Sequence, residues 1–138
     1  MTTWRMAMLG WVVMALAATV NGIVRVVVLE PWLGERVAGV ISVISAIVIL
    51  QVVAFFSLRR HPAASRTQLA AIAAAWLLMT ISFEFIFGRY VEGMTWRELA
   101  ANYNLLQGRL WPIVLVSIFC APFWWGRVSP NRRAEYAT

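Results

Sequence analysis

Apolar residues run almost unbroken through Met6 to Leu29, Val37 to Leu58, Gln68 to Phe87 and Leu110 to Gly126, and polar positions gather between these runs. At about 1.5 Å of rise per residue, roughly twenty residues match the ~30 Å hydrocarbon layer of a bilayer. The pattern predicts an all-α membrane protein, four transmembrane helices in an antiparallel bundle, formed by residues 1–127. Residues 128–138 are polar and are expected to be a disordered cytoplasmic tail. Arg5 and Ala15-Leu16-Ala17 resemble the ends of a signal peptide. The run resumes after Gly22 through IVRVVVL, however, longer than a signal core needs, so the segment reads as a retained span.

Residues 88–108, GRYVEGMTWRELAANYNLLQG, are too polar to span. They carry a helix-start signature instead, because Thr95 and Glu98 have the spacing of a capping box. Trp96, Leu99, Tyr103 and Leu106 then recur at helical spacing, and Gly108 supplies a stop. The expectation is a short interfacial helix over Thr95 to Leu106. Trp32 is expected in a first loop shaped by Pro31 and Gly34, and Trp111 at the start of the last run, both at headgroup level. This segment either seals one leaflet or roofs a site.

Composition narrows the class. The 138 residues are 62% hydrophobic and 13% charged, with a mean hydropathy of +0.74, far from the balance of a soluble domain. The net charge of +6 comes from twelve arginines, no lysine and six acids. In a soluble chain that excess would suggest nucleic acid; here the arginines flank apolar runs and read as topology determinants. Arg5, Arg59, Arg60, Arg66, Arg127, Arg132 and Arg133 fall on one side and Arg36, Arg89, Arg97 and Arg109 on the other. The positive-inside rule therefore places both termini in the cytoplasm. The lysine-free composition points to a GC-rich bacterial genome, hence to a bacterial inner membrane. His61, in the basic turn RRHPAASR, reads as solvated or in contact with phospholipid. The lone Cys120 excludes an internal disulfide and reads as a small packed hydrophobe.

The chemistry-bearing residues are few. An arginine at the centre of a span costs about 2.5–3.5 kcal/mol on insertion scales, so Arg25 asks for a partner. Asn21 lies one turn before it on the same face. In the third run Trp76, Thr80 and Glu84 share a stripe, and Glu84 is the single carboxylate well inside a span. Counting back from the span ends puts Arg25 and Glu84 at equal depth, which predicts an arginine–carboxylate pair supported by Asn21. Roofed by Tyr103, Asn104 and Arg109, these residues would form an outward-facing polar pocket suited to a lipid, an amphiphile or a small anion; alternatively the pair is helix-packing glue. Ser42, Ser45 and Gly39 read as a close-packing face, and Gln51 lies on the opposite side of its helix from Ser42. Pro122 is expected to kink or end the last helix.

The motifs N-G-x-x-R at 21–25, FEFIFG at 83–88 and YNLLQGRLW at 103–111 together resemble a family of small four-span bacterial membrane proteins of uncharacterised activity. The likeness covers most of the chain and implies a fold, with no substrate or cofactor attached. Arg89 stands where that family often has histidine, so no histidine chemistry carries over. Three classes of function follow. One is a binding or transport protein that uses the polar pocket, with membrane lipids as partners and self-association expected. The second is an accessory subunit of a larger membrane complex. An enzyme is third, since no nucleophile–base set, metal motif or cofactor motif is present.

Overall fold

The computed structural model describes residues 2–59 and 65–126, all of it helix and connecting turn. Three helical segments, Thr3–Leu33, Glu35–Leu58 and Arg66–Tyr90, are long and apolar enough to cross a membrane, and Trp111–Trp125 is a shorter apolar helix. The expected basic turn around His61 and the polar tail after Gly126 lie outside the described residues.

The first segment is one rod with an irregular turn. α1 (Thr3–Val24) passes into a π-helical turn at Arg25–Leu29 and then into α2 (Glu30–Leu33). The wide turn has a local cause in Pro31, which has no N–H to donate and whose ring would strike the carbonyl one turn back. Opening the preceding turn, so that Glu30 N–H bonds to the Arg25 carbonyl five residues back, makes room for it. The helix therefore continues through Pro31 and Trp32, where the sequence suggested a loop. The reversal is confined to Gly34, at φ +78° and ψ 159°, a conformation that side chains other than glycine rarely adopt.

α3 (Glu35–Leu58) returns antiparallel to α1. Their contact is close near both ends: a Cβ on Gly10 would collide with Ser57. Near Gly34, Asn21 donates to the carbonyl and hydroxyl of Ser42, both at 2.9 Å, and accepts from Ser45 Oγ at 2.8 Å. The second hairpin comprises α4 (Arg66–Tyr90) and α6 (Trp111–Trp125). Ser65 and Gln68 form a capping box at the start of α4, and Leu69 packs where Gly126 leaves space. Pro122 sits in the last turn of α6, and the helix ends three residues later.

The two hairpins meet around Trp76, which is fully buried among Ala7, Met14, Leu50, Ala54, Ile72, Val114 and Ile118. Its indole donates to the Ala7 carbonyl at 2.9 Å. Beside it, Trp11 Nε1 donates to Thr80 Oγ1 at 3.0 Å. On the other side of α3, Gln51 donates to the carbonyl and hydroxyl of Ser117 at 3.0 and 2.7 Å and accepts from Trp125 at 2.7 Å. Helices that are apolar all round leave packing without a preferred face. These few directed hydrogen bonds tie particular helix positions to one another. α1 buries Ala7, Gly10 and Met14, and none of its residues beyond Met14 is buried.

Between α4 and α6 the capping box at Thr95 and Glu98 starts α5 as expected. α5 covers only Trp96–Ala101, however, and after a turn Leu105–Gln107 form a 3₁₀ turn closed by Gly108 at φ +80°. Leu99 is buried over Gly88, where any Cβ would collide with it. Of the expected stripe, Trp96 and Leu99 fall on α5, Tyr103 lies in the turn after it, and Leu106 is 99% exposed beyond the break. Cys120 is also exposed, on the outside of α6 instead of packed within it.

Candidate functional site

The residues expected in one pocket fall into separate clusters. Asn21 is spent on Ser42 and Ser45, as described. Trp76 and Thr80 do share a stripe, linked by Thr80 Oγ1 donating to the Trp76 carbonyl at 2.7 Å. Their remaining polar atoms serve the junction with α1. Asn104 caps the 3₁₀ turn by accepting from Leu106 N–H at 3.1 Å. Arg109 is exposed.

The expected Arg25–Glu84 pair is not formed. Among the described residues the ion pair that Arg25 makes is with Glu30, 3.5 Å away, and its side chain is 44% exposed. The reason is register. α1 and α4 run in the same direction, with Ala7 beside Trp76 and Trp11 beside Thr80. From the Trp11–Thr80 contact Arg25 is fourteen residues onward and Glu84 only four. At helical rise that separates them by about 15 Å along the axis. Counting from span ends missed this because the first rod, at 31 residues, overruns the apolar thickness. Glu30 reaches Arg25 across the π turn.

Glu84 has a different set of neighbours. Its Oε2 accepts from the Tyr103 hydroxyl at 2.7 Å. Tyr103 is held there because its ring stacks on Phe85, centroids 5.7 Å apart, and Phe85 stacks in turn with Trp96 at 6.3 Å. The Arg89 guanidinium lies 5.7 Å from the Trp96 ring and donates to the Met94 carbonyl at 3.3 Å. Trp111, at the first position of α6, places its indole N–H beside both Glu84 and Tyr103. That N–H falls short of hydrogen-bond geometry with either, and it is buried with no partner. Burial, and then donation to Glu84, pushes the Tyr103 phenol well above its ordinary value, so it remains a donor at physiological pH.

Sequence reasoning found Glu84 and Tyr103 and assigned Trp111 only an anchoring role. It also missed the Gln51–Ser117–Trp125 cluster. A groove of about 390 Å³ adjoins that cluster, lined by Ile47, Cys120, Ala121 and Trp124. Gln51 and Ser117 are both engaged there with protein partners, which leaves the groove an apolar surface of the kind lipid chains cover. The site with unspent polar atoms is therefore Glu84 and Trp111.

No family model, curated protein or solved structure matches the chain. Over its described residues the chain is helical, and its long apolar helices are those of a membrane protein.

Proposed function

We propose that this is a four-span protein of the bacterial inner membrane, with both termini cytoplasmic, that binds or helps move a membrane amphiphile through an outward-facing polar site centred on Glu84. α6 serves as the fourth span: with Leu110 and Gly126 it is short, and the wide tryptophans at its two ends extend its apolar reach. The uneven arginine count supports the orientation. The likeness to the four-span family rests on the three motifs alone.

One observation carries the binding reading. Glu84 is a half-buried carboxylate within an apolar helix, it has no cationic partner among the described residues, and it sits beside the buried Trp111 indole N–H, which has no acceptor among them. Buried polar groups are normally satisfied, and polar groups left open inside a membrane protein mark sites of function by default. With Arg25 elsewhere, the site lacks the positive charge that an anion would need. Its occupant is therefore a neutral or donor-bearing head group.

The test is native mass spectrometry from mild detergent. The wild-type protein should retain an amphiphile that Glu84→Leu loses while remaining helical. Equal retention by the two proteins would refute the site.

A second reading, an accessory subunit that self-associates or joins a larger complex, is favoured by the first rod. Its second half leaves Val20, Ile23, Val26 and Val27 exposed, with Arg25 among them. The same spectra report any copurifying subunit.

A further inference from the structure

The open hydrogen-bonding positions at Glu84 also select the chemistry of the head group, and this inference rests on the binding reading above. Glu84 Oε2 is occupied by Tyr103, and Oε1 has no donor among the described residues. A free carboxylate oxygen calls for a donor. The buried Trp111 N–H, which has no partner, calls for an acceptor. An ammonium group would meet the first requirement and leave the indole unsatisfied, since it has no acceptor to offer. A phosphate would meet the second, but it would bring negative charge against Glu84, and like charges set side by side at a binding surface repel.

A hydroxyl does both at once, donating to the carboxylate and accepting from the indole. The Tyr103 ring, held beside the carboxylate by its hydroxyl and backed by Phe85, adds a flat apolar face against which C–H groups of a polyol can pack. We propose that the site takes a neutral polyhydroxylated head group, a glycerol or sugar carried on an acyl chain, with one hydroxyl bridging Glu84 Oε1 and Trp111 Nε1. The chain would lie along the apolar helices, with the head at the α5 end of the bundle.

The test uses full-length protein with ¹⁵N-labelled tryptophan in phosphatidylcholine nanodiscs, the Trp111 indole resonance being assigned by its loss in Trp111→Phe. Monodecanoyl glycerol, decyl phosphate, decylammonium and free glycerol are titrated separately. Monodecanoyl glycerol should shift the Trp111 resonance saturably, with an affinity at least tenfold weaker in Glu84→Leu. The two charged amphiphiles should not produce that shift. If either gives the saturable, Glu84-dependent shift instead, the hydroxyl chemistry is wrong while the binding site stands. Free glycerol acting as tightly as its decanoyl ester would overturn the amphiphile and leave a small polyol. No response to any probe, or a response indifferent to Glu84→Leu, would overturn the site itself. Should Glu84→Leu fail to fold, Trp111→Phe replaces it, read as at least tenfold lower retention of monodecanoyl glycerol by mass spectrometry, and unchanged retention would overturn the bridge.

Discussion

Two double-mutant cycles separate the partner that Glu84 has from the one it lacks. The first combines Glu84→Ala with Tyr103→Phe, the second Glu84→Ala with Arg25→Ala. The Tyr103 hydroxyl donates to Glu84 at 2.7 Å, a charge-assisted bond of a kind worth about 1.5–3 kcal/mol. Interhelical hydrogen bonds in membrane proteins run lower, averaging ~0.6 with a maximum near ~1.7 kcal/mol. The expected coupling is therefore about 1–2 kcal/mol. Arg25 is 44% exposed and its partner is Glu30, so its removal should cost about 0–1 kcal/mol. It lies about 15 Å from Glu84 along the bundle, and sites that far apart without shared partners add within ~0.3–0.5 kcal/mol. Far-UV circular dichroism during titration of detergent-solubilised protein with dodecyl sulfate measures all five variants and the parent on one scale. Coupling above ~1 kcal/mol in the Arg25 cycle together with additivity in the Tyr103 cycle would refute the helix register.

Three further outcomes are expected. Asn21→Leu removes three hydrogen bonds between α1 and α3 and should destabilise by about 1–2 kcal/mol in the same titration, given the range for interhelical hydrogen bonds in membranes; no loss would mean that apolar packing alone holds the first hairpin. Glu98 has its pKa lowered by the backbone N–H of Thr95, so its contribution to α5 is present above the ordinary glutamate value of about 4.3 and is lost as pH falls through the lower folded value. Amides in Trp96–Ala101 should therefore be protected at neutral pH, and their protection relative to the intrinsic exchange rate at each pH should fall on acidification, an effect abolished in Glu98→Ala. A reporter fused after Thr138 should read cytoplasmic and one inserted between Gly93 and Thr95 external; the reverse labelling would turn the Glu84 site to the cytoplasm.

Helix positions were legible because apolar runs and capping signals are local. Thr95 with Glu98 marked the start of α5, whereas Gly108, expected to stop that helix, closes the 3₁₀ turn after it. The break at Asn102–Asn104 was not legible, because the spacing of Tyr103 and Leu106 is the same whether a helix continues or stops. The opposed faces of Gln51 and Ser42 followed from helix periodicity, and each does meet a different helix. Partners across the bundle did not follow, since they depend on how far one helix slides past another. Arg25 and Glu84 looked matched in depth from their span ends, yet the register is tied by Trp11 with Thr80 and Trp76 with Ala7, contacts that no single run announces. Pro31 was legible as a disturbance, but the chain absorbs it by widening one turn of helix. The orphaned N–H of Trp111 arises from the packing of α6 against α4, so the sequence offered only an interfacial tryptophan.

The most direct test of a head-group site at Glu84 is a density map of the wild-type protein in native lipid at a resolution that shows ordered non-protein atoms. An elongated density is expected along the helices, its polar end within hydrogen-bond reach, about 2.7–3.2 Å, of both Glu84 Oε1 and Trp111 Nε1. A closed, dry contact between Trp111 N–H and Glu84 with no density beside it would rule out a head-group site there and leave Glu84 and Tyr103 as internal packing.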